Sequence, residues 1–371
     1  MSRTEPPAIL LQATSPQANA LTWLLEESEV PLQSEEQTLQ RYALAVLGGT
    51  NLNPLKHVCQ WNGITCNGAS LVTKLVWPES GLSGNIPAEV GLLQNLVYLD
   101  LAENDLQGPL PDELFTLTDL THLYLHQNQL SGSLSERFSE LEKLTHFYGG
   151  NNLFSGYFPR GLGSKGVGGA NARPLRESWP IWLLLDCSFA VFHFRDAIEK
   201  INCPVRNGLS HFVVVLSIFF IGYLSLHKNQ LSGPLPENMN LRHLFYLDLS
   251  SNQFYGLIPR DWSAGPNRLT VIRHLYLDHN TFQGNLDPTF PQMGNSRIAQ
   301  MFLSDNLFTG PFPGNWLNHD HLQQFEIQNT GFTSIPREVC QQAVFVSGEV
   351  TNLRADCAIC DCLFFCDKCY Y

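Results

Sequence analysis

Leucine and other large apolar residues recur along this chain in a fixed order, with asparagine at one constant place among them. The pattern is Leu-x-x-Leu-x-Leu-x-x-Asn-x-Leu-x-Gly-x-Leu/Ile-Pro, and Phe often replaces Leu. Leu99 and Leu123 hold equivalent places in neighbouring units, 24 residues apart. The alternation of apolar and variable residues inside each unit predicts a short strand with one buried face. A period of this length predicts a solenoid, in which each unit covers the apolar face of the next.

Nine such units are present, four in a first block and five in a second. The central strand residues of the nine units are Leu75, Leu99, Leu123, Phe147, Leu224, Leu247, Leu275, Met301 and Phe325. We expect the asparagine of each unit to turn inward. Its amide can then bond backbone groups of neighbouring turns that would otherwise have no partner inside the solenoid. The glycine suits a position that a side chain would crowd, and the proline favours an extended return.

The units resemble plant-type leucine-rich repeats, whose signature is Leu-x-Gly-x-Ile-Pro. The resemblance implies an α/β solenoid, a horseshoe with a parallel β-sheet on its concave side, closed by a helical N-terminal cap and a Cys-rich C-terminal cap. The segment Cys59-Gln-Trp-Asn-Gly-Ile-Thr-Cys66 resembles the N-terminal cap of extracellular proteins of this type. That resemblance implies a disulfide between Cys59 and Cys66. Segments 15–23, 39–45 and 353–357 are similar to diatom leucine-rich-repeat receptor-like proteins.

The chain therefore divides into five predicted segments. They are the helical cap with Cys59 and Cys66 at 1–69, the first repeat block at 70–160, a non-repeat insert at 161–221, the second repeat block at 222–338 and the Cys-rich cap at 339–371. Helix-start signals stand at Ser15-Pro16 and at Ser34-x-x-Gln37. Helical spacing after them predicts one apolar face for each helix, formed by Ala18, Leu21, Leu24 and Leu25 in the first and by Leu39, Tyr42, Ala43, Val46 and Leu47 in the second.

The insert breaks the period of the repeats. Leu224 follows Phe147 by 77 residues where one period is 24, so 53 residues are extra. Three explanations stay open: a retained intron in the gene, a functional loop or island domain, and a membrane helix. We favour the intron because the repeat register resumes cleanly at Tyr223. The apolar part of the insert is also short for a membrane span.

Six of the ten cysteines lie near the C-terminal end of the chain. They are Cys340, Cys357, Cys360, Cys362, Cys366 and Cys369. Two Cys-x-x-Cys pairs suggest zinc, but only five residues separate the pairs, fewer than in common zinc ribbons. Disulfides that seal the last repeat are favoured over zinc and over free thiols.

The net charge and the motifs of the chain argue against nucleic-acid binding and against catalysis. The chain has 22 basic and 34 acidic residues, a net charge of −12, which argues against nucleic acid as a partner. It shows no kinase glycine-rich loop, Gly-x-Ser-x-Gly, His-Glu-x-x-His or Walker motif. We therefore expect no enzyme activity, no cofactor and no bound metal. The chain shows no secretory signal near Met1 and no glycosylation sequon, so the extracellular or cell-surface location implied by the resemblance stands beside a cytoplasmic alternative.

The concave face is the predicted binding site, because its strands expose a row of aromatic, histidine and acidic residues. The candidate ligand-binding residues are Tyr98, Asp100, His122, Tyr124, His126, His146, Tyr148, Asp248, His274, Tyr276, Phe302 and Glu326. Rigid aromatic surfaces favour recognition of a protein, peptide or glycan. The resemblance implies a receptor-like or adhesive ectodomain, with a co-receptor as a further partner. A secreted inhibitor of glycan hydrolases, similar to polygalacturonase inhibitors, and an intracellular scaffold are the alternatives. Because the tyrosines point away from the core, their truncation is expected to cost little stability.

Overall fold

The computed structural model describes residues 15–26, 34–49, 52–53, 55–160, 162, 221–237, 243–259, 262, 269, 271–286, 298–312, 323–334 and 352–354. The chain divides into two units, 167–218 and the remainder, and every described residue belongs to the second of these. Within the described ranges, no helix has the length and apolar character needed to cross a bilayer.

Each repeat contributes two short strands. In chain order the described strands are β1 Ile64–Cys66, β2 Val72–Val76, β3 Ser83–Asn85, β4 Tyr98–Asp100, β5 Asp105–Gly108, β6 His122–Tyr124, β7 Gln129–Ser133, β8 His146–Tyr148, β9 Leu153–Tyr157, β10 Tyr223–Ser225, β11 Gln230–Gly233, β12 Tyr246–Asp248, β13 Gln253–Gly256, β14 His274–Tyr276, β15 Thr281–Asn285, β16 Gln300–Phe302, β17 Leu307–Pro311, β18 Gln324–Glu326, β19 Gly331–Ser334 and β20 Asn352–Arg354.

Two sheets run the length of the solenoid. The first has the order β1-β2-β4-β6-β8-β10-β12-β14-β16-β18-β20, and the second runs from β3 to β19 through the intervening odd strands. All pairs are parallel except β1 with β2. Strands β2 to β18 of the first sheet are the nine predicted units, so the predicted leucine-rich-repeat horseshoe is confirmed.

The two repeat blocks join directly in this sheet. Strand β8 pairs with β10 in register, with Phe147 opposite Leu224. Leu162 and Ile221, at the edges of the predicted insert, are buried in the solenoid core. Leu162 lies 24 residues after Phe138, at the same core position one repeat later. The residues between Leu162 and Ile221 lie outside the described part of the chain, and the domain division stays a prediction.

The core lies between the two sheets and is filled mainly by leucine and phenylalanine side chains. Leu99, Leu123 and Leu224 are fully buried at the centres of their strands. On the second sheet, phenylalanine rings of successive turns stack nearly in parallel, with centroids 6.1 Å apart for Phe254 and Phe282 and 6.4 Å apart for Phe282 and Phe308. Each turn is therefore packed against its neighbours by apolar contact as well as by strand pairing.

The repeat asparagines form the predicted internal ladder. Asn152 is buried, and its Nδ2 donates to the carbonyl oxygens of Leu125, Gly149 and Gly150 at 2.9, 3.2 and 3.3 Å. Its Oδ1 accepts from the backbone N–H of Leu130 at 2.9 Å. The same bonds recur at other units, and the asparagines of the ladder are Asn104, Asn128, Asn152, Asn229, Asn252, Asn280 and Asn306. One side chain per turn thus satisfies backbone groups of two turns.

The return from the second sheet differs from the simple extended segment expected after proline. Pro87 and Pro111 are extended, but each is followed by a short 3₁₀-helix. The described 3₁₀-helices are Val58–Gln60, Ala88–Leu92, Asp112–Thr116 and Glu136–Glu140. The repeat glycine precedes this return, and Gly132 has φ of 81°, a left-handed conformation that glycine adopts without strain.

The N-terminal cap consists of helices α1, Pro16–Glu26, and α2, Glu35–Gly48. As predicted, Ser34 caps α2, because its hydroxyl accepts from the N–H of Gln37. The guanidinium of Arg41 is buried against the rings of Trp23 and Trp61, 5.0 and 5.1 Å from their centroids. Its Nη1 donates to the carbonyl of Lys56 at 2.8 Å.

The buried faces of both helices differ from those that helical spacing predicted. In α1, Leu21 was expected in the core but is 43% exposed, and Ala20 and Trp23 are buried instead. In α2, Leu39 is exposed, and Arg41 is buried with its apolar neighbours. The tryptophan–arginine stack sets the rotation of the helices, and apolar periodicity alone does not contain that contact.

The predicted disulfide between Cys59 and Cys66 is present. It links the 3₁₀-helix before the first repeat to strand β1. At the other end, strand β20 adds to β18 in parallel, one strand beyond the ninth unit. Cys340, Cys357, Cys360, Cys362, Cys366 and Cys369 lie outside the described residues, so the choice between disulfides and zinc in the tail stays a prediction.

Replacing Asn152 by Ala should destabilise the solenoid by about 2–4 kcal/mol. The change leaves buried carbonyl and N–H groups of two turns without partners, and each orphaned group costs about 1–3 kcal/mol. Urea unfolding followed by circular dichroism measures the effect. Gln129→Ala, at an exposed position of the neighbouring turn, is the control and should change stability by less than about 0.5 kcal/mol. Equal losses in the two variants would contradict the ladder.

Replacing Cys59 and Cys66 together by Ser should lower the free energy of unfolding by roughly 2 kcal/mol, because the bridge closes a short loop in the unfolded chain. Thiol alkylation of denatured, unreduced protein should label neither cysteine. Labelling of both would show that the bridge is absent.

Candidate functional site

The concave face of the first sheet consists of the residues that flank the buried strand centres. Column one contains Lys74, Tyr98, His122, His146, Tyr223, Tyr246, His274, Gln300 and Gln324, and column two contains Val76, Asp100, Tyr124, Tyr148, Ser225, Asp248, Tyr276, Phe302 and Glu326. Eleven of the twelve predicted binding residues lie in these columns. The twelfth, His126, follows two positions after Tyr124 on the same turn.

The rings of column one stack on one another from strand to strand. The centroid distances are 5.1 Å for Tyr98 and His122, 4.2 Å for His122 and His146, and 4.5 Å for His146 and Tyr223. The last two pairs are within 10° of parallel. Because neighbouring rings cover each other's faces, this part of the site presents ring edges with their polar atoms.

Column two continues the aromatic surface. Tyr124 stacks on Tyr148 at 5.0 Å, and Tyr276 meets Phe302 edge-on at 4.8 Å. Tyr246 of column one joins the two groups, 6.5 Å from Tyr148 and 5.5 Å from Tyr276. The rings are therefore packed as well as exposed. Truncating one removes stacking worth about 0.5–1.5 kcal/mol per pair. The small stability cost expected from the sequence stays a prediction, and this packing argues for a larger one.

Burial keeps the tyrosine hydroxyls protonated. It raises the pKa of Tyr276 to about 12, with Asp248 and Asp278 adding to the effect. It also raises the pKa of Tyr124 and Tyr246. These hydroxyls are hydrogen-bond donors at neutral pH, and that of Tyr276 donates to Oε1 of Gln300.

The paired histidines are held in one tautomer by threonines. The hydroxyl of Thr121 donates to the carbonyl of Val97, and that of Thr145 donates to the carbonyl of Thr121. Each hydroxyl oxygen is then free to accept from Nδ1–H of the following histidine, His122 or His146, at 2.7 and 2.8 Å. Nε2 of each neutral ring is consequently an acceptor.

The electrostatic surroundings keep the two histidines neutral. Burial lowers the pKa of His122, and Lys74 lowers it further. Burial also lowers the pKa of His146, to about 4, with a contribution from the like charge that His122 would acquire. Both rings are thus uncharged at pH 7 and offer two acceptor atoms on adjacent strands.

Asp248, a predicted ligand contact, is already hydrogen-bonded within the protein. The residue is 8% exposed, and its carboxylate accepts from the N–H and hydroxyl of Ser250 at 3.1 and 2.7 Å and from the hydroxyl of Tyr246 at 3.3 Å. The side chain therefore supports the turn after β12. Its charge still contributes to the potential of the face, because it raises the pKa of Tyr276.

Ser225, His227 and Asp248 lie together but do not have the geometry of a catalytic triad. Ser225 Oγ and Asp248 Oδ2 both approach Nδ1 of His227, at 2.8 and 3.4 Å. A triad needs the serine and the carboxylate on opposite ring nitrogens. Here Nε2 of His227 faces the amide of Asn151 at 2.9 Å, and Ser225 is buried.

The site also includes residues that the sequence prediction missed. Tyr223 and Gln300 occupy column one. The register of the repeats could have identified them, because each immediately precedes the central residue of its strand. Asp278 and Asp305 lie in the turns after β14 and β16, and His279 lies between them, 2.8 Å from Oδ2 of Asp278 and 3.3 Å from Oδ2 of Asp305. Burial raises the pKa of Asp278, and Asp248 adds to this.

No group of three His, Cys, Asp or Glu side chains in the described ranges is arranged to hold a metal ion. The His122 and His146 rings are parallel, and their in-plane lone pairs therefore do not converge on one point. The described face offers hydrogen-bonding and aromatic contacts for a ligand.

Lowering the pH from about 6.5 to 4 should destabilise the solenoid through His146. The pKa of His146 in the folded protein is below its ordinary value, so the unfolded chain binds more protons in this pH window. The free energy of unfolding therefore decreases as the pH is lowered. His146→Phe keeps a stacking ring and removes the titration. The decline should then be smaller by roughly 1 kcal/mol, after allowance for solvent screening. Urea unfolding at pH 7, 5 and 4 measures the difference, and parallel curves for the two proteins would contradict it.

Comparison with known proteins agrees with this architecture. A family model described as Leucine Rich Repeat matches residues 95–117, 119–141 and 243–264. Receptor-like protein 47 of Arabidopsis thaliana is 29% identical over 163 residues, covering 42% of this chain and 17% of that protein. The chain thus spans less than a fifth of the length of this relative.

Solved structures share the fold. The plant peptide hormone receptor RGFR1 in complex with RGF2 is 25% identical, with a TM-score of 0.55 over 76% of this chain and 36% of the receptor chain. A plant ice-binding protein is 17% identical, with a TM-score of 0.51 over 94% of this chain and 98% of that one, a likeness that shows the fold alone. With the repeat register and asparagine ladder, these matches show the leucine-rich-repeat fold and a similarity to plant receptor-like proteins.

Proposed function

We propose that this chain is a non-catalytic recognition module of a receptor-like protein, and that its concave face binds a peptide or an extended segment of a protein. The observation that supports this most directly is the continuous row of packed rings from Tyr98 to Phe302, which crosses strands from both repeat blocks. A rigid aromatic surface of this kind gives large contact area at low entropic cost.

The edge-on arrangement favours peptide over glycan. Sugars stack on open aromatic faces, whereas the faces of His122, His146 and Tyr223 are covered by neighbouring rings. The exposed edges combine tyrosine hydroxyl donors with imidazole acceptors, which match the N–H and C=O groups of an extended peptide. The peptide-bound state of the RGFR1 structure supports the same class of ligand.

The cap supports a location at the cell surface or outside the cell. The Cys59–Cys66 disulfide is typical of an oxidising compartment and disfavours the intracellular scaffold. The sequence similarity of segments 15–23 and 39–45 to diatom receptor-like proteins supports the narrower proposal that the chain is an ectodomain of that type, working with a co-receptor.

Replacing Tyr124, Tyr148 and Tyr276 by Ala should weaken peptide binding at least about a hundredfold. Anchoring aromatics at an interface centre contribute about 2 kcal/mol or more each, and every 1.4 kcal/mol is tenfold. The probe is a set of peptides selected on the intact chain from a displayed random 12-residue library, and the dissociation constants are measured by fluorescence anisotropy.

Two further variants make this experiment decisive. The matched control replaces Tyr157 and Tyr255, which are 68% and 48% exposed on the second sheet, by Ala and should leave binding within about twofold. Replacing the three concave tyrosines by Phe keeps the stacks and removes the hydroxyls, so the fold is retained and binding should fall about tenfold. Unchanged binding in both concave variants would place the site elsewhere and overturn the proposal.

A further inference from the structure

Charge is distributed unequally along the concave face. In the described strands β4 to β10 and the turns that follow them, the acids Asp100 and Glu103 stand beside tyrosine, neutral histidine and the base Lys228. From β12 to β18, the same positions contain Asp248, Asp278, Asp305 and Glu326 and no Lys or Arg among the described residues. The basic side chain of the two columns, Lys74, is at the opposite end, on β2.

The acids of the later turns have neutral or imidazole partners. Asp248 is bonded by Ser250 and Tyr246, Asp278 by His279, and Asp305 by the amide of Asn329 at 2.8 Å. Across the described ranges, no Lys or Arg lies within salt-bridge distance of these three carboxylates.

Charged residues are arranged differently on the helical side of the solenoid, the side that contains the 3₁₀-helices Asp112–Thr116 and Glu136–Glu140. There Arg137 pairs with Asp112 and Glu140, and Lys143 pairs with Asp119. Asp112, Glu140 and Asp119 thus have cationic partners within the protein, whereas Asp248, Asp278 and Asp305 have no Lys or Arg partner among the described residues.

His279 cannot compensate the negative charges of both Asp278 and Asp305, which it contacts on either side. A neutral imidazole has one N–H and can donate to only one of the two carboxylates that flank it. A protonated ring would still leave one negative charge of the two uncompensated. The raised pKa of Asp278, due to burial and to the nearby Asp248, is consistent with a region of uncompensated negative potential.

We propose that the peptide recognised by the concave face is cationic, and that an arginine or lysine of it sits against Asp278 and Asp305. This inference rests on the proposed function and adds the charge of the ligand and its orientation along the face. The charge-bearing part of the peptide lies over β14 and β16, and its less charged part lies over the stacked rings of β4 to β10. An Arg guanidinium, with five donors in a planar fork, is suited to pair with the carboxylate charge that His279 leaves uncompensated.

Two defined probes test the proposal on the full chain. They are fluorescein-labelled dodecapeptides, one of six Arg-Ser repeats and one of six Glu-Ser repeats, measured by anisotropy at about 0.05 M salt, where screening is modest. The arginine peptide should bind at least about tenfold more tightly than the glutamate peptide. Asp278→Asn with Asp305→Asn should weaken the arginine peptide about tenfold.

The substitutions are chosen to retain the fold. Asp305 has φ of 53°, a left-handed conformation that Asn adopts readily. The control, Glu113→Gln with Glu142→Gln, changes the net charge by the same amount at exposed positions of the helical side, and it should alter arginine-peptide binding by less than about twofold. Equal binding of the two peptides, or equal losses in the two double variants, would overturn the inference.

This failure is distinguishable from failure of the proposed function. If the tyrosine variants abolish binding of the selected peptides and the aspartate variant leaves the arginine peptide unaffected, the concave face is the site and only the charge assignment is wrong. If the tyrosine variants leave binding of the selected peptides unchanged, the proposed function itself is wrong.

Discussion

The hydrogen-bonded ladder between successive turns is the constraint on which the rest of this structure depends. Parallel strands of only three to five residues have few backbone bonds each, and the turns between the two sheets leave carbonyl and N–H groups inside the solenoid. The asparagine of each turn bonds these groups in its own turn and in the one before, as Asn152 does with Leu125 and Leu130. Every turn has such backbone groups to bond, and for this reason the asparagine recurs in the sequence. The two turns that lack it are at the ends of the series, where Ser80 and Thr330 take its place.

The same ladder produces the candidate site. Parallel strands lie about 4.8 Å apart, which is close to the separation at which aromatic rings stack. A ring at one position of each turn therefore meets the ring of the next turn, as His122 meets His146 at 4.2 Å. Stacking half-buries the rings, and burial then keeps the histidines neutral and the tyrosines protonated. The contacts that stabilise the face therefore also set the spacing of its donors and acceptors.

The first turn of a solenoid needs a cover, and here the cap combines buried apolar side chains with a buried cation. The Arg41 guanidinium packs against the indole rings of Trp23 and Trp61, and Trp61 belongs to the segment that the disulfide closes. A buried cation is costly unless its donors and its ring contacts are complete. The cap thus depends on specific geometry, whereas the repeats depend on a period.

The sequence alone was sufficient to predict the strands, the asparagine ladder and most members of both columns, because each follows from the repeated pattern and from alternation along a strand. It also predicted the cap disulfide, through resemblance to similar caps. Tertiary structure decided what the period does not contain. Leu21 and Leu39 face solvent because Arg41 and Trp23 set the rotation of the helices, and Asp248 is enclosed because Ser250 and Tyr246 fold over it. The tautomers of His122 and His146 follow from threonine hydroxyls bonded to the preceding turn, and the partners of Asp278 and Asp305 follow from the packing of neighbouring turns. Periodicity specifies the position of a side chain in the solenoid. The charge state and exposure of that side chain depend on its contacts with residues of other turns, which the period does not specify.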